Sequence, residues 1–260
     1  MTSIAVGLPV SRRPSWELVE SLTQLCFPGP WRLLLAGQLD RPYPIAAAYE
    51  RLVTAFLATD DAALLFLNDD AVLHPETVLR LWHREQPIVG ALALARYRPY
   101  QPAVYSPLAD GQYRVQWDET RAWLLAHPEL YQAPAIRAET TPEDLVEVGF
   151  TGLHCLLVHR EVLEAMHPPY FGRLTLPEQR ASGVDRYFCE AARAQGYRVL
   201  VDRSVLAGHQ AEVVVGGLDF LVWAASAGQL YQVGDTDGSN SSPNRAGAPD
   251  GERISGHVVV

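Results

Sequence analysis

The stretch A-A-L-L-F-L-N-D-D, residues 62–70, decides the fold class. Its first six residues are all apolar, which is typical of a strand in a parallel sheet that is covered on both faces. Asn68, Asp69 and Asp70 follow that strand directly. The sequence therefore predicts a cluster of oxygen ligands at the carboxyl end of a buried strand.

The segments around this strand alternate between extended and helical patterns. Strands are predicted at residues 4–8, 31–36 and 88–94, and helices at residues 15–25, 45–58 and 75–84. This order predicts an α/β protein with a mostly parallel, doubly wound central sheet flanked by helices. In such sheets ligands bind beyond the carboxyl ends of the strands, which is where Asp69 and Asp70 lie.

The second half of the chain is less regular. Residues 96–145 are rich in Pro, Tyr and Trp and are predicted to be irregular, with aromatic rings that either contact a sugar or pack inside a long loop. A strand at 153–158, a helix at 160–166, a helix capped by Ser182 and a strand at 197–201 follow. Residues 234–260 are polar and of low complexity, and are predicted to be disordered.

The composition excludes several classes of function. The 260 residues include 21 basic and 30 acidic side chains, for a net charge of −9, which argues against general nucleic-acid binding. Every basic residue is Arg, so lysine chemistry and lysine-bearing phosphate loops are excluded. Three scattered cysteines, no signal peptide and no transmembrane segment predict a soluble, cytoplasmic protein.

Three sites are candidates for chemistry, each with a structural alternative. Asp69 and Asp70 are either ligands of Mg²⁺ or Mn²⁺ or solvated residues of a loop. Asp185 opens a helix and is either functional or a capping acid, and the helix dipole is expected to lower its basicity. His209 is either a ligand or a loop histidine, and Gly152, in V-G-F-T-G, allows the backbone to approach a ligand closely.

Taken in order, these motifs resemble glycosyltransferases of the GT-A fold, similar to glycosyltransferase family 2 and related phage and bacterial enzymes. N-D-D resembles the family's D-x-D strand end, and G-F-T-G-L-H-C-L-L-V-H-R-E its glycine-rich segment. G-V-D-R-Y-F-C-E resembles its E-D segment, and G-H at 208–209 its late metal-binding histidine. The resemblance covers about residues 1–210. It implies a GT-A domain over 1–233, with a donor half at 1–95 and an acceptor half at 96–233.

The resemblance also implies roles for individual residues. Asp70 and His209 would hold Mn²⁺ or Mg²⁺, and Asn68 and Asp69 would lie beside the nucleotide. Asn68 departs from the motif, which has an acid at this position. Asp185 matches the general base of inverting members, although Val184 replaces the preceding Glu.

Two further positions are expected to contact the donor. Tyr49 stands where related enzymes often have a nucleotide-contacting arginine, so Arg96 or Arg98 is expected to substitute for it unless both are surface residues. Gly152 is expected to approach the donor through its backbone.

The implied function is metal-dependent transfer of a sugar from a nucleotide-diphosphate sugar to a hydroxyl of a glycan or small-molecule acceptor, with inversion. Two alternatives stay open. One is a sugar-phosphate nucleotidyltransferase, although the loop after the first strand (L-P-V-S-R-R-P-S) lacks the expected glycines. The other is a sugar- or nucleotide-binding protein on a decayed scaffold, which the departures at Asn68, Val184 and Tyr49 favour.

Overall fold

The computed structural model describes residues 2–10, 15–37, 44–109, 111–172, 183–210 and 214–227. The strands are β1 (Ile4–Val10), β2 (Trp31–Gly37), β3 (Ala63–Leu67), β4 (Ala71–Val72), β5 (Ile88–Ala93), β6 (Val104–Pro107), β7 (Tyr113–Val115), β8 (Ala135–Ile136), β9 (Leu145–Val148), β10 (Phe150–Thr151), β11 (Cys155–His159), β12 (Val199–Gln210) and β13 (Val214–Val215). The helices are α1 (Trp16–Gln24), α2 (Ile45–Leu57), α3 (Thr77–Trp82), α4 (Trp117–Ala126), α5 (Arg160–Ala165), α6 (Val184–Ala194) and α7 (Gly217–Ala227).

The central sheet has the order β13-β12-β5-β11-β3-β1-β2. Strands β2, β1, β3, β5 and β12 run in the same direction, whereas β11 lies between β3 and β5 and is antiparallel to both. The predicted fold class, a mostly parallel α/β sheet flanked by helices, is therefore confirmed. The reversed β11 matters for the site, because its first residue lies at the edge where its neighbours end.

Helices cover both faces of the sheet because the central strands are apolar on both sides. On β3, Leu65 and Leu67 pack with α1 and α3, while Leu64 and Phe66 pack with α2, α5 and α6. Each fully buried Leu or Phe contributes roughly 1.5–3 kcal/mol through the hydrophobic effect. The two clusters fix β3 from both sides and so fix the polar residues that follow it.

The region 96–145 is more regular than the sequence predicts. Strands β6 and β7 join β10 in a small second sheet, and α4 lies within the region. Two of its tryptophans are packed rather than open to a ligand: Trp117 stacks on Phe220, and Trp123 lies beside the guanidinium of Arg203.

Some predicted features lie outside the described residues, and one predicted strand has different bounds in the structure. Helix α6 begins at Val184 with Gly183 as its N-cap, and the predicted cap Ser182 lies outside the described residues. The predicted disordered tail, residues 234–260, also lies outside them. Strand β12 is longer than predicted and includes His209, which is therefore not a loop histidine. Among the described helices, none has both the length and the apolar character needed to span a bilayer.

Candidate functional site

A cleft of about 270 Å³ opens at the carboxyl edge of the central sheet. It contains five of the seven site residues that the sequence predicts. The lining residues are Pro9, Ile45, Tyr49, Asn68, Asp69, Asp70, Arg96, Val184 and Asp185. The other two predicted residues, His209 and Gly152, contact or approach the carboxylates of Asp70 and Asp185 respectively.

Asp70 and His209 meet because β4 pairs with the end of β12. Ala71, the residue after Asp70, is the register partner of His209, and the Gln210 N–H donates to the Asp70 carbonyl at 2.8 Å. As a result His209 Nε2 lies 3.2 Å from Asp70 Oδ2. The two predicted metal ligands, far apart in sequence, are therefore adjacent in the fold.

His154, which the sequence analysis missed, lies at the same point. It directly precedes β11, whose first residue Cys155 pairs with Leu67 at the end of β3. Its Nδ1 lies 3.9 Å from Asp70 Oδ1, and its ring centroid lies 4.2 Å from that of His209. One ligand atom from each of Asp70, His154 and His209 can be chosen so that all three lie within 4.8 Å of one another.

Backbone carbonyls fix which nitrogen of each imidazole carries a proton. His209 Nδ1 lies 2.9 Å from the Leu94 carbonyl, and His154 Nε2 lies 2.9 Å from the Gly208 carbonyl. A carbonyl oxygen only accepts, so both nitrogens must donate. The opposite nitrogens, His209 Nε2 and His154 Nδ1, therefore face Asp70.

This arrangement fits a metal ion. Burial, followed by the charge of His209, lowers the pKa of His154 to about 3, so its Nδ1 carries a lone pair at neutral pH. Within the described part of the chain, that buried Nδ1 has no hydrogen-bond partner. A cation between this lone pair and the Asp70 carboxylate would satisfy both groups.

Arg96 also binds the central carboxylate. Its Nη1 lies 2.5 Å from Asp70 Oδ2, the oxygen that His209 faces. Burial opposes ionisation of Asp70, but the hydrogen bond and charge of His209, together with the charge of Arg96, lower its pKa to about 2. Asp70 is therefore anionic across the physiological range, and Arg96 lines the cleft while paired with this carboxylate.

Asn68 is held by Tyr49, the residue that stands where the resemblance predicts an arginine. The Tyr49 hydroxyl donates to Asn68 Oδ1 at 2.6 Å, and burial raises the pKa of Tyr49 well above its ordinary value. Tyr49 in turn packs against Phe66 and Phe171. The departures at Tyr49 and Asn68 thus form one hydrogen-bonded pair that lines the cleft.

Asp185 lies in the cleft in a less polar setting. Burial raises its pKa from 3.8 to about 6, against the opposing effect of the backbone N–H groups of Leu153 and of Asp185 itself. The expectation that the helix start lowers its basicity is wrong, because desolvation outweighs the dipole and the N–H groups. A Cβ at Gly152 would lie 3.9 Å from Asp185 Oδ2, so this glycine keeps the space beside the carboxylate open.

Comparison with known proteins finds solved structures with a similar fold, but no match in the two sequence comparisons. No protein-family model and no curated protein matches the chain. A crystal structure of A197 from STIV is 17% identical with a TM-score of 0.48, and the match covers 81% of this chain and 86% of that one.

Two glycosyltransferase structures are also similar. For GalNAc-T7 with UDP, GalNAc and Mn²⁺, the identity is 10%, the TM-score 0.45 and the coverage 86% of this chain and 48% of that one. For the catalytic domain of Drosophila beta1,4galactosyltransferase 7 in complex with xylobiose, the identity is 15% and the TM-score 0.40. That match covers 84% of this chain and 69% of that one. All three TM-scores lie below 0.5, so the functional argument rests on the residues of the site.

Proposed function

We propose that the protein is a metal-dependent glycosyltransferase that moves a sugar from a nucleotide-diphosphate sugar to an acceptor hydroxyl with inversion. One observation carries the proposal. A single cleft holds an anionic carboxylate with imidazole nitrogens directed at it and a second, half-buried carboxylate whose pKa is raised to about 6. The first set suits a cation, and the second suits proton transfer near neutral pH.

Asp70 and His209 would hold Mn²⁺ or Mg²⁺ at the end of β3. When bound, the ion acts as a Lewis acid that stabilises the charge on a departing diphosphate. The chain has no lysine, so the remaining cationic contacts to phosphate would come from arginine side chains. Arg96, which lines the cleft beside Asp70, would supply that contact.

Asp185 would accept the proton of the acceptor hydroxyl as that oxygen attacks the anomeric carbon. Its pKa of about 6 leaves it mostly ionised at neutral pH, yet more basic than an ordinary aspartate. Attack from the side of Asp185 with departure toward Asp70 inverts the configuration. Gly152 keeps the space beside Asp185 free for the acceptor or the sugar.

The binding-protein alternative retains one supporting observation. Asn68 supplies no charge, and Tyr49 engages its amide oxygen, so the D-x-D position contributes less to cation binding than an acid would. A decayed scaffold would still bind nucleotide sugars but would not hydrolyse or transfer them. The nucleotidyltransferase alternative depends on a loop whose residues 11–14 lie outside the described part of the chain.

A thermal-shift panel tests the binding half of the proposal. Nucleoside diphosphates and nucleotide sugars, each with and without Mn²⁺, should raise the melting temperature in proportion to the logarithm of ligand concentration over Kd. We expect the increase to require Mn²⁺ and to be lost in Asp70→Asn. A panel in which no nucleotide stabilises the protein, with or without Mn²⁺, would refute the proposal.

A further inference from the structure

We infer that His154 is a third protein ligand of the metal, so that Asp70, His154 and His209 form a one-carboxylate, two-imidazole centre that prefers a first-row transition-metal dication to Mg²⁺ or Ca²⁺. The inference deepens the proposed function, on which it rests for the role of the metal.

The first step is the state of the His154 ring. The side chain is only 4% exposed, and its Nε2 donates to the Gly208 carbonyl at 2.9 Å. Its Nδ1 is buried and has no hydrogen-bond partner among the described residues. Leaving a buried nitrogen unpaired costs about 1–3 kcal/mol. His159 Nε2 is also unpartnered among the described residues, but of these two histidines only His154 belongs to a group of residues that could hold a metal ion. The orphaned nitrogen is explained if a metal ion is its partner.

The second step is convergence. His154 Nδ1 and His209 Nε2 face the two oxygens of one carboxylate, at 3.9 Å from Asp70 Oδ1 and 3.2 Å from Oδ2 respectively. Ligand atoms about 2.0–2.2 Å from one ion lie at most about 4.4 Å apart. The cluster, within 4.8 Å, therefore needs only a small contraction to bind a cation.

The third step is the support behind the two imidazoles. Metal-bound histidines usually donate their other N–H to a carboxylate or a backbone carbonyl, which fixes the tautomer and the ring orientation. Both rings have such a partner, His209 through the Leu94 carbonyl and His154 through the Gly208 carbonyl. The two rings thus match in their support, and each turns its other nitrogen toward Asp70.

The fourth step is the choice of metal. Mg²⁺ and Ca²⁺ prefer sites made of oxygen ligands, whereas imidazole nitrogen favours transition metals such as Fe²⁺, Co²⁺ and Zn²⁺. With His154 included, two of the three protein ligands are nitrogens. A site made of Asp70, Asp69 and water would show the opposite preference. The identity of the preferred cation therefore reports on His154.

One experiment counts the imidazoles without any mutation. The full chain is loaded with Mn²⁺ alone, and electron spin echo envelope modulation measures the number of nitrogen ligands at the metal. We expect two coupled imidazole nitrogens. A spectrum with one, or with none, would overturn the assignment of His154.

A second experiment uses matched variants. Co²⁺ is titrated into the wild type, His154→Gln and His159→Gln, and binding is followed by the visible absorption of the metal. His159 is the control because it lies at the other end of the same strand, stacked on Trp82 away from the cleft. We expect His154→Gln to weaken Co²⁺ binding at least about 10-fold, since even indirect supports of metal sites cost 10–100-fold.

His159→Gln should bind Co²⁺ like the wild type, and excess Mg²⁺ should fail to displace Co²⁺ from the wild type. Equal Co²⁺ affinity in His154→Gln and the wild type, or ready displacement by Mg²⁺, would contradict the inference. The outcome is separable from the proposed function. A two-imidazole metal site in a protein without transferase activity would refute only the transferase, and a metal-dependent transferase with one metal-bound imidazole would refute only the role of His154.

Discussion

His154 Nε2 lies 2.9 Å from the carbonyl of Gly208, the residue that precedes His209, and the two imidazole rings lie 4.2 Å apart. The end of β12 therefore positions both histidines. His209 is a residue of this strand, and the Gly208 carbonyl accepts a hydrogen bond from the His154 ring. Asp70 joins them because β4 pairs with the same residues of β12. Asp70 and His154 lie in short turns, and the pairing of the strands next to those turns positions them.

Replacing Asp185 with Asn should separate binding from chemistry. Asn is nearly isosteric with Asp, and Gly183 rather than Asp185 is the N-cap of α6, so the fold and the affinity for the donor should be kept. Turnover should fall about 10²–10⁴-fold, the range for loss of a general base. Donor affinity by calorimetry and steady-state turnover on the same preparation make the comparison. Asp118→Asn, an exposed first-turn aspartate of α4, is the control. Near-normal turnover in Asp185→Asn would remove this residue from the mechanism.

The pH dependence of turnover should report the same carboxyl. A base with a pKa of about 6 must be ionised to act, so kcat/KM should fall tenfold per pH unit below about pH 6 and level off above it. An ordinary aspartate would place this limb near pH 4. A profile that stays flat from pH 7 down to pH 4.5 would contradict the role of Asp185.

Asp185 should affect the free energy of unfolding in the opposite direction. Turnover rises with pH as this carboxyl ionises, whereas the stability that it contributes falls. Because the native pKa of Asp185 is raised above 3.8, the native state holds this proton more tightly than the unfolded chain does. Its contribution to the free energy of unfolding is thus present at low pH and is lost as pH rises from about 4 through 6. Asp185→Asn should therefore be stabilised relative to the wild type by roughly 1–3 kcal/mol at pH 8, but not at pH 4. Chemical denaturation measures the free energy of unfolding of both proteins at each pH. The same difference between Asp185→Asn and the wild type at pH 4 and at pH 8 would disprove the raised pKa.

Arg96 should compete with the metal for Asp70. Its guanidinium lies 2.5 Å from Oδ2, which is also the oxygen that faces His209. Charge-assisted hydrogen bonds contribute about 1.5–3 kcal/mol, less where solvent screens them. Arg96→Gln should accordingly tighten Mn²⁺ binding in the absence of donor, by about 10-fold, while weakening donor binding in the presence of Mn²⁺. Arg98→Gln, at an exposed neighbour, serves as the control. Weaker Mn²⁺ binding in Arg96→Gln would show that the arginine supports the site instead.

Removal of residues 234–260 should leave the domain intact. The segment is polar and of low complexity and has too few large apolar residues to form a core. A chain ending at Val233 should match the full chain in melting temperature within a few degrees and in Mn²⁺ affinity. A loss of many degrees would show that the tail packs against the domain.

The position of Asp70 and the fold class were predictable from sequence because they depend on local patterns. An unbroken apolar run followed by carboxylates indicates a buried strand and its carboxyl end, and the structure has both. The placement of His209 beside Asp70 came from the family resemblance. Residue types alone did not require it, because the pairing of β4 with β12 joins segments that are distant in sequence.

His154 was missed because it depends on the direction of one strand. If β11 ran parallel to its neighbours, the residue before it would lie at the opposite edge of the sheet. It is antiparallel to β3 and β5, so His154 lies at the edge that holds Asp70. The raised pKa of Asp185 was missed for a related reason. The helix start is visible in the sequence, whereas the packing that desolvates the carboxylate is not.

The most direct measurement of the central claim is nucleotide-sugar turnover with and without Mn²⁺. The wild type, Asp70→Asn and Asp185→Asn are incubated with a panel of nucleotide sugars, and release of the nucleoside diphosphate is followed. The account predicts Mn²⁺-dependent release by the wild type, loss of both donor binding and release in Asp70→Asn, and retained binding with little release in Asp185→Asn. Mn²⁺-dependent binding of a nucleotide sugar by the wild type with no release of diphosphate in any mixture would contradict it and identify a binding protein.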